Sequence, residues 1–167
     1  MNVHHFTGPR EWELIRRSGV IATTESNIGA PDLPAFRRHS YNPIGTHVGP
    51  DVVWLTSLHS PAGLGVSCRG SGKGSICITV DVPADSVHPW RRWAFDHRID
   101  PRWYRRLAHG YSPDFWFVVE RDIWWPEWVR VDDRSTGTTL WTPDDGLTPD
   151  LSRDAISQIL RASSPAF

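Results

Sequence analysis

The first nineteen residues carry the pattern that most constrains the fold: an apolar segment, a Gly-Pro break and a helix-forming stretch that stops at a glycine. Pro9 suits the first helical turn, where a missing N–H group costs nothing. Gly19 suits the left-handed conformation that follows many helices. The pattern predicts a strand over 3–7, a tight turn and a helix, with His5 and Thr7 at the exit of the strand.

The length of the chain favours a single domain over residues 1–167, and its charge bears on its partners. A chain of 167 residues is long enough to bury a core without disulfides or structural metal. Its formal net charge of -1 gives no global field that attracts nucleic acid or membranes. No apolar run approaches membrane-spanning length, and the amino terminus lacks the apolar core of a signal peptide. We therefore expect a cytoplasmic protein without a membrane partner.

The cysteines and histidines do not show the spacing of a metal site. Cys68 and Cys77 make neither a disulfide framework nor a CxxC motif, and the eight histidines show no HExxH spacing. We expect reduced thiols and no metal. The Gly/Ser-rich stretch 69–75 departs from the phosphate-binding loop pattern because Lys73 is followed by Gly74, and it is predicted to be a turn.

Further segments predict an α+β fold with two packed, mostly antiparallel sheets and flanking helices. The predicted strands are 20–21, 51–57, 75–82, 115–120, 128–131 and 138–141, and the predicted helices are 87–94, 101–108 and 149–162. Segment 51–57 is apolar almost throughout and is predicted to be central. Segment 23–50 lacks periodicity, and a loop of this length is either functional or a mobile surface loop.

The opening pattern resembles that of the ADP-ribosyltransferase-like superfamily, which includes diphtheria-toxin-type transferases, poly-ADP-ribose polymerases, tRNA 2′-phosphotransferases and bacterial DNA-modifying toxins. In that family a His binds a ribose hydroxyl of NAD, and nearby backbone holds the nicotinamide amide. By position the matching residue is His5, with Phe6 and Thr7 completing the motif, whereas His4 matches less well. The resemblance implies NAD as substrate and a role for segment 23–50 in covering it.

The resemblance extends to an acid near the carboxyl-terminal end. The family has a Glu that opens a late strand in the order Glu-aromatic-apolar-x-apolar, and Glu127 followed by 128–131 matches this order. A carboxylate there stabilises the positive charge that develops on the ribose and orients the acceptor. Glu120 is the rival, because it also ends a predicted strand. The ordinary alternative for either residue is an exposed acid without a catalytic role.

The strand 51–57 departs from the family pattern. Where the family has a Tyr or Ser that supports the nicotinamide, this strand offers Trp54 and Ser57 and no Tyr. The resemblance implies that Trp54 supplies the aromatic face and that Ser57 adds a polar group. A purely structural role for Trp54 in the core is the alternative.

Basic and aromatic residues alternate between positions 90 and 106. The arginines that the pattern assigns to a macromolecular partner are Arg91, Arg92, Arg102, Arg105 and Arg106. Such a surface can hold a nucleic-acid backbone and stack its bases. A pair of helices with a basic solvent face is the other interpretation.

The expected function is transfer of ADP-ribose from NAD to a nucleic acid or protein, with His5 and Glu127 as the catalytic residues. A tRNA 2′-phosphotransferase-like reaction needs basic residues near the His, and the only early basic pair, Arg16 and Arg17, lies on the predicted helix. A 2H-type phosphoesterase needs two His-x-Thr/Ser motifs, and only residues 5–7 fit. A non-catalytic binding module that uses the Trp/Arg-rich face also stays open.

Overall fold

The structure, a computed structural model, describes residues 1–24, 50–60, 72, 74–97 and 113–146. The helices in these ranges are α1 (Pro9–Ser18) and α2 (Trp90–Asp96). The strands are β1 (Asn2–Thr7), β2 (Val20–Ile21), β3 (Val53–Thr56), β4 (Ile76–Asp81), β5 (His88–Pro89), β6 (Trp116–Val119), β7 (Ile123–Trp124), β8 (Trp128–Asp133) and β9 (Thr138–Trp141).

Seven of these strands form one sheet in the order β5-β6-β3-β1-β4-β8-β9, while β2 and β7 form a separate two-stranded sheet. Every pairing between the described strands is antiparallel. The predicted α+β class with mostly antiparallel strands is therefore confirmed. The two sheets are unequal, since one is a broad sheet and the other a short ribbon.

β1 occupies the middle of the large sheet, between β3 and β4. It pairs with β4 at all six of its residues, but with β3 it pairs only at His4↔Thr56. Because side chains alternate along a strand, Val3 and His5 lie on one face of the sheet and His4 lies on the other. The two consecutive histidines therefore belong to different environments.

The hydrophobic core lies on the face of the sheet that carries Val3. The fully buried side chains of Ile78 and Val131 on the neighbouring strands belong to the same cluster, and α1 packs onto it through Trp12. The ring centroids of Trp12 and Trp128 are 5.8 Å apart. Tight packing of large apolar side chains fixes α1 against the sheet and thereby fixes the turn between β1 and α1.

The local signals around α1 act as the sequence predicts. Gly8 precedes the helix, Pro9 occupies its first turn, and Gly19 adopts a left-handed φ of 70°. The Gly19 N–H donates to the Ile15 carbonyl at 2.8 Å, which closes the last turn. The Gly19 carbonyl in turn accepts the Trp125 N–H at 2.8 Å, so the end of the helix is tied to the small sheet.

The strands predicted within the described residues agree with the structure apart from their ends, and one predicted helix begins later than expected. β3 is buried and lies between β1 and β6, which confirms its central position. The helix predicted for 87–94 begins at Trp90, because His88 and Pro89 pair with β6 as an edge strand. A turn closed by the Ser75 N–H and the Gly72 carbonyl leads into β4.

Three predicted segments lie outside the described residues: most of the 23–50 loop, the helix at 101–108 and the helix at 149–162. Neither of the described helices has the length and apolar composition needed to cross a bilayer. The hairpin of β8 and β9 agrees with the strands predicted for 128–131 and 138–141.

A register shift in β8 provides a matched test of the core, because it leaves Val129 without a partner on β4 while Trp128 and Val131 are both buried. Val131 is fully buried between β4 and β9, whereas Val129 on the same strand is 40% exposed. Val131→Ala should lower the free energy of unfolding by roughly 1–3 kcal/mol, through lost burial and a residual cavity. Val129→Ala should change it by less than about 0.5 kcal/mol. Urea denaturation of both variants measures the difference, and equal losses would contradict the assigned burial of the two side chains.

Candidate functional site

His5 lies one residue beyond the single position at which β1 pairs with β3. Its Nδ1 atom is 3.1 Å from the Trp54 carbonyl oxygen. Because a carbonyl only accepts hydrogen bonds, Nδ1 carries the proton and Nε2 is an acceptor in the neutral ring. Burial lowers the pKa of His5, and the hydrogen bond to the carbonyl partly opposes this effect. The site therefore holds a neutral imidazole in one tautomer and one orientation.

Phe6 and Thr7 complete the motif but face different surroundings. Thr7 is buried, and its carbonyl accepts the Gly74 N–H at 2.9 Å, which ties the exit of β1 to the segment before β4. Phe6 lies on the opposite face, where the Cζ atom of Arg134 is 5.6 Å from its ring centroid. The structure brings Thr7 to the same face as His5 and directs Phe6 away from it.

Trp54 is connected to His5 through its backbone, while its ring belongs to an aromatic cluster. The ring centroid lies 4.5 Å from that of Trp90 and 6.3 Å from that of Trp116. Trp54 is only partly buried. Ser57 is exposed just beyond β3, where its N–H donates to the Phe115 carbonyl at 3.1 Å.

Glu127 forms a bidentate ion pair with Arg121. The oxygen–nitrogen distances are 2.9 and 2.6 Å, and one carboxylate oxygen also accepts the Trp124 N–H at 3.2 Å. The bond from Arg121 lowers the pKa of Glu127, against the effect of burial, and the hydrogen bond from Trp124 lowers it further. The carboxylate is therefore ionised and neutralised by its partner, and it holds the turn that leads into β8.

The structure does not bring Glu127 against His5. β4 lies between β1 and β8 in the sheet. His5 on β1 pairs with Ile78 on β4, and Ile78 in turn pairs with Val131 on β8. Because of the register shift in β8, Trp128 is level with Val80, about 7 Å along the strand from the level of His5, and Glu127 lies one residue beyond it. A ligand that contacts His5 would have to extend across a neighbouring strand to reach this acid.

Glu120 has a different setting at the end of β6. Its carboxylate accepts the indole N–H of Trp93, and Nε2 of His97 lies 3.7 Å from the same oxygen. The rings of Trp93 and His97 stack at 4.2 Å, so the acid borders an aromatic surface. β6 pairs with β3 at Val118↔Trp54, which places Glu120 about 7 Å beyond the level of Trp54.

Two of the predicted partner-binding arginines lie on α2. Arg91 pairs with Asp114 at 2.6 Å, and Arg92 pairs with Asp96 at 2.8 Å. Both arginines are exposed, as is the ring of Phe95 beside them. The remaining predicted contacts, Arg102, Arg105 and Arg106, lie outside the described residues.

The opposite face of β1 carries a cluster that the sequence pattern did not reveal. Nδ1 of His4 is 3.1 Å from Oγ1 of Thr79, the His4 and His59 rings are 4.6 Å apart, and Sγ of Cys77 is 3.7 Å from Nδ1 of His59. Burial lowers the pKa of His4, and the neighbouring His59 lowers it further. Burial also raises the pKa of the Cys77 thiol to about 11. These residues come from three distant segments, so no spacing rule marks them.

The Arg121–Glu127 pair predicts a loss of stability in acid. Because the folded pKa of Glu127 is lowered, the contribution is present at neutral pH and is lost as the pH falls through the folded pKa. We expect the thermal midpoint of the wild type to fall between about pH 5 and pH 3 more steeply than that of Glu127→Gln. Glu13→Gln, which breaks an exposed pair with Arg16, should keep the wild-type slope. Identical slopes for wild type and Glu127→Gln would contradict this role.

Comparison with known proteins did not identify a relative of this chain. No protein-family model matches the chain, and no curated protein matches it either. What supports a function is therefore the arrangement of the chain's own residues. That arrangement comprises an oriented histidine between β1 and β3, an acid at the end of β6, and a second histidine cluster on the opposite face of the sheet.

Proposed function

We propose that this protein cleaves NAD and transfers its ADP-ribose group to a macromolecular acceptor. The observation that carries the proposal is the hydrogen bond from Nδ1 of His5 to the Trp54 carbonyl. It fixes the ring and leaves Nε2 as an acceptor, which suits a hydroxyl donor such as the ribose of NAD. The resemblance of residues 5–7 to the ADP-ribosyltransferase-like motif supports the same ligand.

Trp54 has a positioning role in this proposal. Its ring packs between Trp90 and Trp116, so the residue is held firmly and its carbonyl is a fixed acceptor for His5. Preorganised contacts of this kind lower the cost of ordering a ligand when it binds. Because Thr56 lies opposite His4 and Trp54 stands two residues before Thr56, the Trp54 ring lies on the face of His4. Trp54 therefore contributes to the His5 site through its carbonyl.

The charge of their partners favours Glu120 over Glu127 as the acid that acts on the developing positive charge of the ribose. Glu127 already shares its charge with Arg121 through two hydrogen bonds, which weakens its field elsewhere. The indole N–H that Glu120 accepts from Trp93 carries no formal charge. Glu120 and Glu127 each lie two strands away from His5, so the choice between them depends on their hydrogen-bond partners.

Nucleic acid is the acceptor class that the surface of α2 favours. Phe95 is 76% exposed, and the guanidinium carbon of Arg92 is 6.0 Å from its ring centroid. An exposed ring beside a cation suits a stacked base and its phosphate. The phosphate would compete with Asp96 for Arg92 and with Asp114 for Arg91, so the contact would be sensitive to salt.

The two acids give a direct kinetic test. An acid that acts mainly in the transition state affects turnover more than ground-state binding. Glu120→Gln should therefore lower the rate of nicotinamide release by roughly a hundredfold or more and keep NAD affinity within a few-fold. Glu127→Gln, assayed well below its unfolding temperature, should release nicotinamide at nearly the wild-type rate. Release is measured in single-turnover reactions with RNA, DNA or protein acceptors.

The opposite results have distinct meanings. If Glu127→Gln abolishes release and Glu120→Gln spares it, the acid lies where the sequence pattern predicted and the assignment to Glu120 is wrong. If the wild type releases no nicotinamide with any of these acceptors, the transferase proposal itself fails.

A further inference from the structure

We propose that His4, His59 and Cys77 form a zinc-binding site with one open coordination position, on the face of the sheet opposite His5. One ligand atom from each residue lies within 4.8 Å of the ligand atoms of the other two. Two imidazoles and a thiolate are a donor set that Zn²⁺ accepts. The site is independent of the proposed reaction with NAD.

The distances suit a tetrahedral ion. Zinc–sulfur bonds of about 2.3 Å and zinc–nitrogen bonds of about 2.0–2.1 Å place sulfur and nitrogen ligands roughly 3.5 Å apart. Sγ of Cys77 and Nδ1 of His59 are 3.7 Å apart. This pair is therefore within a few tenths of an ångström of the tetrahedral spacing, and all three ligand atoms lie within 4.8 Å of one another. On binding, Cys77 gives up its thiol proton to solvent and coordinates as the thiolate.

The secondary structure holds two of the ligands before any ion binds. His4 and Cys77 lie on the directly paired strands β1 and β4, where the register sets His4 opposite Thr79 and Phe6 opposite Cys77. The Thr79 hydroxyl is 3.1 Å from Nδ1 of His4, which assigns Nε2 of His4 as the zinc ligand. A hydrogen bond to the non-coordinating nitrogen is the usual way in which proteins orient a metal-binding histidine.

His59 provides the third ligand and leaves the site accessible. It follows β3 in the segment 57–60 and is exposed, whereas Cys77 is buried. Coordination would attach this segment to the sheet. Three protein ligands leave a fourth position for water or a small anion, the arrangement of zinc sites that act on bound molecules.

The test uses the full chain, reduced and freed of metal with a chelator, and titrated with Zn²⁺ against a chromophoric competitor. Wild type and the control His88→Asn, which changes a histidine on the edge strand β5, should bind one Zn²⁺ per chain. His59→Asn and Cys77→Ser should bind it at least about a hundredfold more weakly. Thr79→Val should weaken binding by about 10–100-fold, as expected for loss of an orienting hydrogen bond.

Substitution with Co²⁺ adds a readout that does not depend on stability. The wild-type complex should show a thiolate-to-cobalt charge-transfer band, and Cys77→Ser should lack it. Because His59 is exposed, His59→Asn should keep the fold, which circular dichroism of the metal-free proteins checks. Equal Zn²⁺ affinity in wild type and His59→Asn, or an unchanged cobalt band in Cys77→Ser, would overturn the proposal and leave a Cys–His hydrogen bond as the whole interaction.

Discussion

The structure depends on how β1 joins its two neighbours in the large sheet. With β4 it pairs along its whole length, but with β3 it pairs at only one position. Beyond that position the Trp54 carbonyl is satisfied by the side chain of His5. A partly buried backbone carbonyl needs a hydrogen-bond partner. Because β1 does not pair with β3 at this point, the His5 side chain supplies the partner and is oriented by it. The fixed orientation of His5 follows from the way in which the sheet completes its hydrogen bonds.

Local sequence signals predicted the parts of the fold that depend on local physics. Pro9 and Gly19 marked the ends of α1, and the apolar segment 51–57 marked the central strand β3. The start of α2 was missed, because the pairing of His88 with β6 extends an edge strand through residues that also suit a helix. Pairing at a sheet edge depends on tertiary contacts, which secondary-structure propensity does not describe.

The candidate site was predictable from the sequence only for the residues that lie on a single strand. His5 and Thr7 share β1 and were found from their order in the chain. The ion pair between Arg121 and Glu127 was not predicted, because the order Glu-aromatic-apolar does not reveal that the acid is paired with an arginine. His4, His59 and Cys77 meet only through strand register and the segment that follows β3, and they do not form a local metal-site motif in the sequence.

The measurement that tests the central claim most directly is the affinity of NAD for His5→Ala, compared with wild type and with the control His88→Ala. Calorimetric titration gives the three dissociation constants, and circular dichroism establishes that each variant is folded. The proposed contact between Nε2 of His5 and a ribose hydroxyl predicts that His5→Ala weakens NAD binding by about tenfold or more, while His88→Ala leaves it unchanged. Equal affinity of wild type and a folded His5→Ala would contradict the account.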